Sequence, residues 1–286
     1  MKQQPKIIYS LDTYPLINNR WHMGNRLKET IYMTSLSVLQ SHMWYPEIEL
    51  FVDETAYKFL YMLPCKVTLI SHDSDPDLWM KVKMAAIECQ NTPFVHLDTD
   101  VFLSNNIDFD FSQIIIERQE FSYKGHYKPQ LKFFNKYMKH LSFWNNDLGT
   151  SYSCGVVGFQ DLELRDKYIE SYNQVEELFK LYKQNYRAFK QNGYEPCIVI
   201  EQYTLACLLD YLQVKPNLLL KGKDMYEQAK NAKNIGFSHL FGVKKYEENV
   251  SNLIEERLEK IFPYWYHQVK NEVDKYSYDN SMALCF

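Results

Sequence analysis

Two aspartates, Asp98 and Asp100, stand one residue apart directly after the apolar run Phe94-Val95-His96-Leu97. Carboxylates that flank a single residue on an extended turn can point to the same side, and hard oxygen donors so placed suit Mg²⁺ or Mn²⁺. A divalent ion held there can bridge to a diphosphate and act as a Lewis acid on the charge that builds on it. The bare spacing is common on protein surfaces, where it serves capped turns and solvated loops. Its place at the end of a strand is what points to a site, because ligands of parallel α/β sheets bind beyond the carboxyl ends of the strands.

The elements before the pair support that placement. Ile7 to Ser10 reads as a strand, and Asn25 to Ser41 as a helix with Leu27, Ile31, Ser35 and Val38 on one face. Ile48 to Val52 is a strand, and Asp53 caps a helix running to about Leu63. Val67 to Ile70 is a strand, Asp77 caps a helix through about Gln90, and Phe94 to Leu97 closes the series. This β-α-β-α-β-α-β order predicts a parallel sheet covered by helices. Farther on, Val156 to Phe159 reads as a strand, Arg165 to Phe189 and Ile200 to Tyr211 as helices, and Leu253 to Ile261 as the start of a helical region broken at Pro263.

Three later segments carry further candidates: Ser153-Cys154-Gly155-Val156-Val157-Gly158-Phe159, Glu201-Gln202-Tyr203-Thr204-Leu205 and His239-Leu240-Phe241-Gly242-Val243-Lys244-Lys245. Each has a plain structural reading as well. Gly155 and Gly158 can serve strand geometry alone. Glu201 can complement a helix dipole. His239, beside Phe237, Leu240 and Phe241, can be a satisfied core histidine. A phosphatase of the haloacid type also carries two aspartates so spaced. It carries them near the N-terminus with Thr or Val two residues past the second, where this chain has Phe102.

Taken in order with Phe94 to Phe102, these segments resemble glycosyltransferases of the GT-A type. The resemblance spans about Ile7 to Tyr246 and leads toward the glycogenin-like and galactosyltransferase-like branches or the capsular and toxin-like ones. It implies a GT-A (nucleotide-diphospho-sugar transferase) α/β fold, with a mostly parallel central sheet and helices on both faces. Residues 1–246 would form the catalytic domain and 247–286 a helical extension packed on it. By the same resemblance Asp98, Asp100 and His239 would hold Mn²⁺ or Mg²⁺, with Asp98 also touching the ribose. Lys245 would bind the diphosphate, Lys83 the diphosphate or donor sugar, and Tyr9 and Ser10 would lie at the nucleotide, with Tyr9 stacking on the base. The implied activity is transfer of a sugar from a nucleotide-diphosphate sugar, a UDP-sugar first, to a hydroxyl of a glycan, lipid-linked or protein acceptor. Asp100, Glu201 and Asp147 are the catalytic candidates, with Glu195 a further choice for an acceptor base.

Composition sets the limits. The 286 residues suffice for a large α/β core, and a net charge of −4 gives no global basic field for nucleic acid. The six cysteines, Cys65, Cys89, Cys154, Cys197, Cys207 and Cys285, form no C-x-x-C pair. No stretch approaches the ~20 apolar residues of a membrane span, and Met1 to Ser10 lacks the apolar core of a signal peptide. The expected setting is cytoplasmic and reducing, with contact at the inner membrane face left open. Lys124 to His140 is Lys-rich, with Lys132, Lys136 and Lys139 at helical spacing, which reads as a solvated face or an anionic contact. Phe262, Tyr264, Trp265 and Tyr266 read as a core anchor or an exposed patch. A non-catalytic relative that binds a nucleotide sugar or a protein is the competing function. A nucleotidyltransferase would carry a Gly-rich loop in the stretch from Ser10 to Arg20, which has no glycine.

Overall fold

Strand alternation splits the apolar side chains of the central sheet into two layers. Ile7, Tyr9 and Leu11 join Leu50, Val52, Val95 and Leu97 in one core, while Ile8, Phe51, Phe94, Val157 and Phe159 join the other. The computed structural model describes residues 4–18, 22–71, 75, 77–110, 112–123, 127–190, 195–222 and 224–283; Arg20, Lys124 and Cys285 lie outside them.

In chain order the elements are β1 (Lys6–Leu11), α1 (Tyr14–Ile17), α2 (Leu27–His42), β2 (Ile48–Val52), α3 (Glu54–Leu60), β3 (Lys66–Leu69), α4 (Lys81–Glu88), β4 (Phe94–Leu97) and β5 (Val101–Leu103). Next come β6 (Ile115–Phe121), α5 (Tyr127–Met138), β7 (Thr150–Phe159), α6 (Leu162–Lys190), α7 (Pro196–Ile198), the π-helical turn Val199–Tyr203 and α8 (Thr204–Tyr211). The chain ends in β8 (Asn217–Leu218), α9 (Met225–Ile235), β9 (Phe237–His239), the 3₁₀ turn Val243–Tyr246, α10 (Glu248–Ile261) and α11 (Pro263–Ala283).

The seven-stranded sheet runs β3-β2-β1-β4-β7-β6-β8. β1 to β4 are mutually parallel, β7 is antiparallel to both β4 and β6, and β8 runs parallel to β6. The α/β class, the mostly parallel sheet and helices on both faces are therefore as the sequence implies. α4, α5, α6 and α8 cover one face; α2, α3, α10 and α11 cover the other.

Local signals explain several elements. Asp53 caps α3 by accepting from Ala56 N–H at 2.8 Å, though the helix stops at Leu60. Asp77 does not cap α4: its own N–H bonds Asp75 Oδ1 at 2.9 Å in a turn, and the helix starts at Lys81. The predicted helix from Ile200 to Tyr211 opens as a π turn before becoming α8. Lys128, Lys132, Lys136 and Lys139 are all exposed around α5, so they form a solvated face. Leu258, Tyr266, Val269 and Val273 of α10 and α11 are buried in the same core as Ile7. Burying each such side chain is worth about 1.5–3 kcal/mol, so these helices help hold the β1 layer. Tyr264 stays exposed while Tyr266 is buried, which makes the aromatic run after Ile261 mainly an anchor. The five described cysteines are free thiols, and no helix among the described residues is long and apolar enough to cross a membrane.

Candidate functional site

β4 ends by handing Asp98 to a tight turn: Asp98 N–H bonds Gly155 O at 2.9 Å, and Val101 N–H bonds Asp98 O at 3.0 Å. The chain then enters β5, which pairs antiparallel with β9 in a two-stranded ribbon with Val101 opposite His239. Leu240 N–H bonds Asp100 O at 3.0 Å, fixing the segments that carry Asp100 and His239 against each other. Helix α2 and the turn that follows it hold the ribbon from beneath. Ser37 Oγ donates to Val101 O, and Trp44 Nε1 donates to Leu103 O at 3.3 Å. Gly236 ends α9 at φ 74°, a left-handed cap that turns the chain into β9, and a Cβ there would strike Asn105 and Ser104. In consequence one donor atom from each of Asp98, Asp100 and His239 lies within 4.8 Å of the others.

The surrounding charges are paired closely. Lys83, with its side chain 4% exposed, places Nζ 2.7 Å from Asp98 Oδ1, 2.8 Å from Glu201 Oε1 and 2.7 Å from Cys154 O. Burial opposes its charge, but Asp98 and Glu201 outweigh burial and hold the ammonium above its ordinary range. Burial pushes the Glu201 carboxyl up to about 7, with Lys83 acting in the opposite direction. Lys245 Nζ lies 2.7 Å from Asp100 Oδ2, and His239 Nε2 lies 3.3 Å from Asp100 Oδ1. Burial would raise the Asp100 carboxyl, yet Lys245 and His239 hold it well below the carboxylate range. Burial likewise disfavours charge on His239, yet Glu117 and Asp100 push it up to about 10. His96, buried beside the pair and bonded to Ser10 Oγ at 2.8 Å, is held below its ordinary value by burial and by Lys83.

Thus Asp98, Asp100, His239, Lys83, Lys245 and Ser10 meet at the carboxyl end of β4. Tyr9 does not join them. Alternation turns it into the core under α2, fully buried, with its hydroxyl 2.6 Å from Ser41 Oγ, so it offers no ring face to a base. Glu201 sits close to the cluster but faces inward as a partner of Lys83, not outward toward an acceptor. Asp147 is exposed on the loop leading into β7, on the side of the sheet where β4 ends; none of its contacts among the described residues reaches the cluster. Glu195 precedes α7 and is half-buried.

Sequence reasoning missed Glu117. Its side chain is 0% exposed on β6, with Oε2 2.8 Å from His239 Nδ1 and 3.0 Å from Ser153 Oγ. Arg118 pairs with its other oxygen and lies over the Phe241 ring. Gly155 faces this contact, and a Cβ there would collide with both Glu117 and His239. A cavity of 460 Å³ opens alongside, lined by Arg118, Met225, Lys233, His239 and Phe241 among others.

The donor set fits a divalent ion. Two carboxylates from the turn between β4 and β5 and an imidazole from the end of β9 converge on one small volume. Residues 6–272 match the model of DUF6734, described as a family of unknown function, and the chain belongs to that family. No curated protein matches it. Among solved structures the chain is similar to the apo form of the bifunctional glycosyltransferase WbbM, at 8% identity, 95% of this chain, 52% of that chain and a TM-score of 0.48. It is also similar to the galactosyltransferase LgtC in complex with donor and acceptor sugar analogues (12%, 88%, 94% and 0.46). A third likeness is to the glycosyltransferase GlyE of Streptococcus pneumoniae TIGR4 (10%, 96%, 64% and 0.44). The chain spans about half the WbbM chain and less than two thirds of GlyE.

Proposed function

We propose that this chain is a GT-A glycosyltransferase that moves a sugar from a nucleotide-diphosphate sugar to an acceptor hydroxyl. The observation that carries the reading is the convergence of Asp98, Asp100 and His239 within 4.8 Å at the end of β4, flanked by Lys245 and Lys83. Asp98, Asp100 and His239 would hold Mn²⁺ or Mg²⁺, which would supply Lewis-acid stabilisation of a departing diphosphate. Asp98, with its side chain 33% exposed, is the ligand that also faces a ribose. Lys245 is a point charge for the diphosphate. Lys83 is fully engaged by Asp98 and Glu201, so its part is to hold Asp98 in place rather than to grip the donor. Ser10, bonded to His96, lines the nucleotide side.

Phe241 and Arg118 at the cavity give a flat face on which a sugar ring can stack. Of the three candidate acceptor bases, Glu201 is sealed against Lys83 and Glu195 is half-buried, which favours the exposed Asp147. UDP-sugars are the first donors to test, and a glycan, lipid-linked or protein hydroxyl is the acceptor class. Residues 1–246 form the catalytic unit in this reading, and 247–286 brace it.

The test is thermal unfolding with UDP, GDP and their sugars, each with and without Mn²⁺. A ligand at 100 times its Kd adds about 2.7 kcal/mol. A shift that needs both metal and one nucleotide, and that Asp100→Ala abolishes, supports the reading. No shift with any pair sinks it in favour of a protein-binding module.

A further inference from the structure

We propose that Glu117 is the positioning residue that fixes His239 as a metal ligand; this rests on the metal reading above. To ligate an ion the ring must give up one proton; the neutral imidazole then has one N–H and one lone pair, and the group that accepts from the N–H decides which nitrogen is left for a ligand. Glu117 Oε2 stands 2.8 Å from His239 Nδ1, so the proton belongs on Nδ1. The opposite nitrogen, Nε2, is the one that faces Asp100 Oδ1 at 3.3 Å. The ring is therefore held between a carboxylate that accepts from its Nδ1–H and the carboxylate with which it would share an ion.

Several features show that this contact is built in. Glu117 is wholly buried, and an unpaired carboxylate there would be costly. Its two oxygens have separate partners. Oε2 accepts from Ser153 Oγ at 3.0 Å as well as from His239, and Oε1 pairs with Arg118. These contacts leave the carboxylate little freedom to rotate. A register shift between Ile116 and Arg118 interrupts the β6–β7 ladder at this residue. Bulges of this kind re-aim a side chain. Gly155, across on β7, leaves the space that the carboxylate and imidazole fill. None of these groups belongs to the Asp98, Asp100 and His239 set; they would act through His239.

The experiment is titration calorimetry of the full chain with Mn²⁺ alone, for wild type, Asp100→Ala, Glu117→Gln and Glu117→Leu. Circular dichroism checks the fold of each. Wild-type binding that Asp100→Ala removes keeps the metal reading. On that background, Glu117→Leu should weaken Mn²⁺ binding about 10- to 100-fold, and Glu117→Gln, which keeps a carbonyl acceptor, by less. If the leucine variant does not fold, the isosteric glutamine variant carries the test. Cobalt(II) provides the signature that a merely structural role would not move. Loss of the Glu117 contact should shift the ligand-field bands at full occupancy. A general loss of stability would leave the bands in place. Folded Glu117 variants with wild-type Mn²⁺ affinity and unshifted cobalt bands would overturn the Glu117 proposal and leave the metal reading intact. A wild type that binds no Mn²⁺ would overturn both.

Discussion

Replacing Gly155 by alanine should damage the metal site and weaken the buried contacts behind it. A Cβ built on Gly155 falls 2.6 Å from His239 Nδ1 and collides with His239 Cε1 and Glu117 Oε2. Ordinary carbon contacts lie at about 3.5–4.0 Å, so something must yield by roughly 1 Å. The β7 backbone is locked between β4 and β6 in the middle of the sheet, and Glu117 is tied to Ser153 and Arg118. The His239 ring sits at the end of the short strand β9, with an exposed turn after it, and is the part most able to move. Overpacking of this kind costs about 1–3 kcal/mol. If the ring relieves the clash by leaving its place, that cost appears as metal affinity, a loss of roughly 5- to 150-fold. Urea unfolding with and without Mn²⁺ separates the two. The metal-free midpoint should fall, because the displaced ring gives up its contacts with Glu117 and Asp100, and the Mn²⁺-dependent increment should shrink or vanish. A variant with both midpoints unchanged would refute the claim that Gly155 makes room for the His239–Glu117 contact.

Other outcomes follow from the charges and layers. His239 is raised to about 10 in the folded chain against an ordinary 6.5, so its contribution to stability is complete below about pH 6.5 and is lost as pH rises toward 10. Melting temperature in EDTA should therefore fall across that window, and a flat profile between pH 7 and 9.5 would contradict the pairing with Glu117 and Asp100. Lys83→Met leaves Asp98 and Glu201 without their shared cation and should cost about 3–5 kcal/mol in chemical denaturation. Lys245→Met, at a more exposed site, should cost less; equal costs would mean that Lys83 is not the buried keystone described. Tyr9→Phe removes a buried hydroxyl bonded to Ser41 and should destabilise by about 1 kcal/mol. Nucleotide affinity should be unchanged in that variant, and a weakened nucleotide would restore Tyr9 to the binding site.

The strand-end placement of Asp98 and Asp100 was legible because four short strands and their helices precede it with clear alternation. The same alternation held the information about Tyr9, which shares its face with Ile7 and Leu11, while Ser10 shares the other with Ile8. The expected base contact came from resemblance and overrode that period. Glu117 was not legible. It follows Ile114-Ile115-Ile116 and looks like the charged end of an edge strand, and its partner lies 122 positions away. A buried carboxylate in an apolar strand was the signal available, but it names no partner. Glu201 was seen as a helix start; the π turn that buries it against Lys83 depends on how the turn packs on β7, which local sequence does not encode.

The β5–β9 ribbon gives the centre a place in time as well as in space. Asp100 and His239 meet only after more than a hundred residues of intervening chain have been closed into a loop. Closure of that length is slow, because its entropy is spent before the contact repays it. The ligand set should thus be among the last native features to form and the first to open. An ion bound there would act mainly on the rate of unfolding, slowing the escape of native molecules while leaving the rate of folding nearly untouched. Metal capture would then serve as a clock for the completed chain.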